Sequence, residues 1–128
     1  KRGVGYREDV TLGASGRVIL AHVPSPETYI NRDKAKPTDV VEYLDRLKRI
    51  REQGYEVSRD ELIKGAVAVA VPFFMGGGKV AGSLAVFGPG VRVDGQRVQT
   101  FAAMLIVEAA ALSQALGQRL VSKNAAKA

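Results

Sequence analysis

The fold is decided by AVAVAVPFF at Ala66–Phe74 and VAGSLAVF at Val80–Phe87, two neighbouring stretches of the chain. In both stretches large apolar residues alternate with small ones. This period of two predicts β-strands, because successive side chains of a strand point to opposite faces of a sheet. The segment between them, Met75–Lys79, is short and contains three consecutive glycines, which favours an antiparallel hairpin.

The small face of this hairpin is apolar, since it carries alanines where a solvent-facing strand would carry Lys, Thr or Glu. We therefore expect a second layer to cover it, and we expect the bulky face to pack on the last helix. A face of methyl groups either lets a helix approach closely or leaves room for a ligand. The first alternative indicates a structural sheet and the second a sensor.

Two helices are predicted before the hairpin. Ser15 is a plausible N-cap for a short helix at Gly16–Val23, which ends before Pro24. The clearest amphipathic helix follows at Asp39–Gln53, with Gly54 at the position where a helix-ending glycine belongs. Between these helices the sequence predicts a polar connection with room for one short helical turn.

A last helix is predicted at Val98–Leu120, and from Phe101 to Leu112 its only polar residue is Glu108. A helix that is apolar nearly all round is buried on more than one side. A domain this small can hardly enclose such a helix, so we expect a subunit interface on it. With an extended segment at Tyr55–Val57, the elements predict an α+β fold with an antiparallel sheet.

Composition limits the class of protein. The 128 residues, 46% of them hydrophobic, suit one domain with a modest core, and the absence of cysteine excludes disulfides and thiolate sites. No apolar run approaches the roughly 20 residues of a membrane span, and the N-terminus does not resemble a signal peptide.

The net charge of +6 makes nucleic acid a candidate partner. The basic residues between positions 34 and 51 are mixed with acidic ones, however, which favours a solvated helix.

No catalytic, metal or cofactor site is expected. His22 is the only histidine and lies before Pro24, where a surface or helix-terminal role is favoured over catalysis. GGGK at Gly76–Lys79 lacks the first glycine and the Ser/Thr of a phosphate-binding loop. The start of the first helix at Ser15 and Gly16 is a candidate anion site, with ordinary N-capping by Ser15 as the alternative.

Three motifs resemble the effector-binding domain of the IclR family of bacterial transcription regulators when taken together. They are ASGRVILA at Ala14–Ala21, IREQGYEV at Ile50–Val57, and the strand pair VAVP at Val69–Pro72 with SLAVFGP at Ser83–Pro89. Each motif alone is weak, but their order and spacing over about residues 9–120 make the match good.

The resemblance implies a GAF-like antiparallel sheet flanked by helices, forming a single effector-binding domain over residues 1–128. It begins partway into the family's domain, so early strands are missing, disordered or supplied by another chain. The family's N-terminal winged helix-turn-helix is not in this sequence. The expected partners are therefore a small-molecule effector and a second or further copies in a homodimer or homotetramer, with DNA bound only through the absent domain. No membrane partner is expected, and a cytoplasmic location is implied.

The resemblance places the effector pocket on the small-residue side of the sheet. Three of its positions in this chain are apolar, where the family often has polar residues or Cys, so we expect a ligand with an aromatic or other hydrophobic body. Its polar end would meet Ser15 or Ser58. The positions carried over from the family are Gly13, Ala14, Ser15, Ser58, Ala68, Ala85 and Phe87.

Two other functions remain open from the sequence. The chain is a purely structural oligomerisation domain if a helix fills the alanine face, and a basic nucleic-acid-binding module if its charge is used directly. An enzyme is the least favoured class, because no nucleophile or acid–base pair is evident.

Overall fold

The computed structural model describes residues 10–33 and 36–117 as four helices and three strands, with one short 3₁₀ turn on each side of the last strand. The helices are α1 (Gly13–Leu20), α2 (Pro26–Arg32), α3 (Val40–Gln53) and α4 (Gly95–Ala115). The strands are β1 (Glu56–Arg59), β2 (Ala66–Phe74) and β3 (Val80–Pro89). This is the predicted α+β class.

The sheet is antiparallel in the order β1-β2-β3, with β2 in the centre. The predicted hairpin is confirmed: β2 and β3 pair from Ala66 opposite Pro89 to Phe74 opposite Val80. The three-glycine segment between them turns with φ values of 82° at Gly77 and 78° at Gly78, a region that glycine enters without steric cost.

The bulky face of the sheet packs on α4, as the alternation predicts. Val67, Val69 and Val71 of β2 are each at most 2% exposed. They form one buried cluster with four residues on one side of α4, namely Val98, Ala102, Leu105 and Ala109. The spacing of those four residues is that of one helical face.

The alanine face packs on α1 and α3. Ala68 and Ala70 are 4% and 0% exposed and belong to a second buried cluster. The other members of that cluster are the α1 residues Ala14, Val18 and Leu20, the α1 C-cap Ala21, and the α3 residues Leu47 and Ile50. Small residues on both sides let α1 lie close to the sheet. Of the two alternatives for the alanine face, close approach of a helix is therefore the one found along Ala68 and Ala70.

The predicted boundaries of the first helix are wrong. α1 is Gly13–Leu20 and not Gly16–Val23, its N-cap is Leu12, and no side chain caps it locally. Ser15 therefore lies within the first turn and is not the N-cap. The reason is non-local, because the backbone N–H of Gly13 donates to a carboxylate oxygen of Glu61 at 3.0 Å.

The predicted amphipathic helix is confirmed as α3. The side chain of its N-cap, Asp39, accepts a hydrogen bond from the backbone N–H of Glu42 at 3.0 Å, and Gly54 ends the helix with φ of 91°. Two turns of helix, α2, occupy the connection where one short turn was expected.

α4 begins at Gly95, three residues before the predicted start, because Asp94 caps it by accepting from the backbone N–H of Arg97 at 2.9 Å. The predicted end at Leu120 is wrong, because α4 ends at Ala115 with Leu116 as its C-cap and Gly117 at φ of 101°.

α4 has 21 residues, and an 18-residue window of it has a mean hydropathy of 1.3, so it is long and apolar enough to cross a membrane by length and composition alone. α4 has no uninterrupted apolar run of that length, because Arg97 and Glu108 interrupt it, and a helix that packs on a sheet can pass the same test.

Candidate functional site

The strand positions expected in the effector pocket lie side by side on the α1 face of the sheet. Ser58 is directly opposite Ala68, and Ala68 is directly opposite Phe87, so the three form one row across β1, β2 and β3. Ala85 lies opposite Ala70 in the next row on the same face. Directly opposite residues have Cβ atoms about 5 Å apart, so these side chains form a continuous patch.

Burial across this patch is high on β1 and β2 and falls on β3. Ser58 and Ala68 are buried, Ala85 is half-buried, and Phe87 is 51% exposed. An exposed phenylalanine beside an alanine floor leaves an apolar ring at the rim of the patch.

The remaining expected positions form the first turn of α1. Gly13 and Ala14 are buried there, and Ser15 is half-buried. Gly13 has φ of +82°, and a Cβ added to it would lie 2.8 Å from the side chain of Leu62. The start of α1 therefore abuts the β1–β2 loop, which runs from residue 60 to residue 65.

A buried ion-pair network, which the sequence reasoning missed, ties α1 to this loop and to β1. The Arg17 side chain is 3% exposed; its Nε donates to Glu56 at 2.6 Å, and its two terminal nitrogens donate to the two Glu61 oxygens at 2.5 and 2.8 Å. Arg46 of α3 donates to the same Glu56 oxygen at 2.7 Å. The available signal was an arginine placed between Ala14 and Val18, on the apolar face of its own helix.

The network changes the ionisation of its members. Burial by itself lowers the pKa of the Arg17 guanidinium, but hydrogen bonds to Glu61 and Glu56 outweigh burial and raise that pKa. Burial by itself raises the pKa of the Glu61 carboxyl, but bonds from Arg17 and from the Gly13 amide outweigh it and lower that pKa. Arg17 and Glu61 are therefore held in their charged forms.

The anion at the start of α1 in this structure is thus the chain's own Glu61 carboxylate. A carboxylate is favoured there by the free N–H groups and by the positive end of the helix dipole. A cavity of about 280 Å³ opens beside this carboxylate. It is lined by Thr11, Leu12, Arg17, Lys36, Pro37, Tyr43 and Glu61, and the seven expected effector residues are not among its lining residues.

Tyr43 joins the same region to α3. Its hydroxyl donates to the backbone carbonyl of Thr11 at 2.8 Å, and burial raises its pKa to about 12.

Across residues 10–33 and 36–117, no group of three or more His, Asp or Glu side chains is placed to hold a metal ion.

Comparison with known proteins places this arrangement in a family. Residues 2–114 match the family described as bacterial transcriptional regulator IclR, C-terminal. The HTH-type transcriptional regulator KdgR of Escherichia coli (strain K12) is 30% identical over 122 residues, which are 89% of this chain and 46% of KdgR. The chain therefore spans about half the length of this curated relative.

Solved structures share the fold. The C-terminal domain of E. coli KdgR superposes with a TM-score of 0.77 at 29% identity, covering 88% of this chain and 74% of that one. A double mutant of the inducer-binding domain of the PobR transcription factor from Acinetobacter, in complex with 3-hydroxybenzoic acid, superposes with a TM-score of 0.75 at 22% identity. That comparison covers 87% of this chain and 69% of the PobR domain. With its sheet, its flanking helices and nearly its whole length matched, the chain belongs to the IclR family of bacterial transcriptional regulators and corresponds to their C-terminal domain.

Proposed function

We propose that this chain is the effector-sensing and dimerisation domain of an IclR-type regulator. A small molecule binds on the alanine side of the sheet and alters DNA binding by a domain outside this chain. The observation that carries the proposal is the row of Ser58, Ala68 and Phe87, which the register aligns on the α1 face. The protein acts as a cytoplasmic sensor and not as an enzyme.

The chemistry of the patch favours a ligand with a hydrophobic body. Ala68, Ala85 and Phe87 offer methyl groups and an aromatic ring, while Ser58 offers one hydroxyl. The polar end of the ligand meets Ser58 or the first turn of α1 near Ser15. The PobR domain, which was crystallised with an aromatic acid, supports this ligand class through its shared fold.

Ligand entry requires α1 and the β1–β2 loop to move apart, because Ala68 is already covered in this structure. The links that hold the two together are the bonds of Gly13 and Arg17 to Glu61. A ligand that fits only the opened arrangement shifts the population towards it. The same movement changes the surface offered to neighbouring subunits and domains.

The test is to fill the patch. Ala85→Leu adds three carbons at a half-buried position of the floor, so the protein should fold while losing at least about tenfold in affinity for its effector. Calorimetry against a panel of aromatic and aliphatic acids first identifies a ligand for the unaltered protein. Ala81→Leu makes the same change at an exposed position of β3 and should bind as the unaltered protein does.

Two outcomes contradict the proposal. One is equal affinity of Ala85→Leu and Ala81→Leu for the identified ligand. The other is that only small hydrophilic acids stabilise the domain, which would contradict the hydrophobic body of the ligand.

A structural oligomerisation domain is the second candidate, and the tight burial of Ala68 and Ala70 against α1 favours it. Under that function no acid of the panel binds. Ala68→Leu then only overpacks a full core and costs roughly 1–3 kcal/mol of stability.

A further inference from the structure

A second cavity lies at the opposite end of α1 from the proposed effector patch. The last pair between β1 and β2 is Glu56 with Ala70, so residues 71–74 of β2 extend past β1 and have an open edge on that side. The ends of α1 and α3 flank this edge, and α4 passes across it. We call the resulting cavity, of about 490 Å³, the edge groove; it is lined by His22, Arg51, Gln53, Gly54, Val71, Pro72, Phe74, Ile106, Ala109, Ala110 and Ser113.

The edge groove has the size and lining of a small-molecule site. Ligand pockets commonly enclose about 300–1,000 Å³ and are mostly apolar, with a few convergent polar groups. Here β2 contributes Val71 and Phe74, and the facing side of α4 contributes Ile106 and Ala110. The backbone N–H of Phe74 at the strand edge is already satisfied, because it donates to the Ser113 hydroxyl at 2.9 Å.

The charge at the groove is positive. Arg51 supplies a full charge, and no Asp or Glu is among the lining residues. One guanidinium nitrogen of Arg51 donates to the backbone carbonyl of Ala21 at 3.0 Å, and this bond holds the guanidinium beside the groove. A guanidinium has five N–H donors in a planar fork, so the remaining donors can receive a carboxylate.

His22 completes the polar end. Its Nδ1 lies 2.9 Å from the carbonyl of Val18, and because a carbonyl only accepts, Nδ1 carries the hydrogen. The ring packs edge to face on Phe74, with 5.1 Å between the ring centroids. Since Nδ1 is bonded to Val18, Nε2 is the ring nitrogen without a hydrogen bond among the described residues. The polar atoms of Arg51 and His22 thus border an apolar trough.

We propose that the edge groove binds a small monocarboxylic acid with an aliphatic or aromatic body, with its carboxylate on Arg51 and its body against Phe74, Ile106 and Ala110. The site is separate from the patch of the proposed function. Gly13 and His22 mark opposite ends of α1, and none of the seven effector positions lines the groove.

Octanoate, used below its micellar concentration, is the probe. Titration into the unaltered protein, followed by amide chemical shifts, should give a saturable change centred on Phe74, Ala109 and Ala110. Arg51→Gln should weaken octanoate about tenfold or more, because a charge-assisted hydrogen bond is lost. Lys48→Gln removes one charge from an exposed position of the same helix and should leave the affinity unchanged.

Two further arms separate this site from general adhesion to apolar surface. Octanamide has the same body without the charge and should bind about tenfold more weakly than octanoate. Ala110→Phe fills the groove from an exposed position of α4 and should abolish the shifts at Phe74. The proposal is overturned if octanoate does not saturate, if Arg51→Gln and Lys48→Gln bind alike, or if the shifts centre on Ser58 and Phe87.

Discussion

Arg17 is unusual for an arginine, because its charged side chain is buried between α1 and the sheet. Its side chain is 3% exposed, and it satisfies Glu56 and Glu61 at once. Removing one partner of a buried pair costs more than the pair itself contributes, because the other charge stays buried without compensation. Without Arg17, Glu56, whose side chain is 7% exposed, would lose its buried partner and keep only the bonds from the more exposed Arg46 and from the backbone N–H of Val57.

Arg17→Ala should therefore lower the free energy of unfolding by about 3–5 kcal/mol, measured by urea denaturation. Arg46→Ala is the matched control, because Arg46 bonds the same Glu56 oxygen from a side chain that is 43% exposed. We expect it to cost only about 0–1 kcal/mol, as for pairs in contact with water. Equal losses in the two variants would contradict a special role for the buried arginine.

At the scale of elements, the approach of α1 to its neighbours depends on a residue without a side chain. A Cβ added at Gly16 would lie 2.1 Å from the carbonyl oxygen of Val10, and a backbone atom cannot move aside cheaply. The helix packs as closely as it does because glycine and alanine face the contacts. Local helix preference would favour alanine over glycine at position 16.

Gly16→Ala should thus destabilise the protein by about 1–3 kcal/mol, although alanine is the better helix former. Gly95→Ala serves as its control in α4, where an added Cβ meets nothing within 4 Å. That substitution should leave stability unchanged or raise it by up to about 1 kcal/mol. Thermal unfolding of the two variants checks both signs, and stabilisation by Gly16→Ala would show that α1 can shift freely.

At the scale of the whole molecule, the two faces of the sheet are covered by different helices, and α4 is left half-covered. Its inner side packs on the valines of β2. On its outer side Met104 and Val107 are 60% and 66% exposed. Neighbouring apolar residues of this size on one helix are typical of a surface that a partner covers, which supports the proposed subunit interface.

Val107→Glu should break that interface, since a carboxylate would be buried without a partner. Light scattering should report the 13.7 kDa mass of a single chain for this variant and a multiple of it for the unaltered protein. Val91→Glu makes the same change at a position outside α4 that is 94% exposed and should preserve the assembly. A monomeric unaltered protein, or an assembly that survives Val107→Glu, would refute an interface on α4.

Features that depend on neighbours along the chain could be predicted from the order of residues alone. The alternation of valine and alanine predicts both strands of the hairpin and the face that meets α4. Asp39 and Gly54 mark the ends of α3, because caps act within one helical turn. The order and spacing of three short motifs were enough to indicate the family.

Features that depend on distant residues could not be predicted in this way, because they form only when the chain has folded. α1 starts at Gly13 because Glu61, 48 positions away, accepts a hydrogen bond from the Gly13 N–H. Arg17 can be buried because Glu56, 39 positions away, accepts a hydrogen bond from its guanidinium. The register likewise decides that Ser58, Ala68 and Phe87 share a row. Periodicity and caps are local and can be read along the chain, whereas ion pairs, register and the open edge of β2 exist only after distant segments meet.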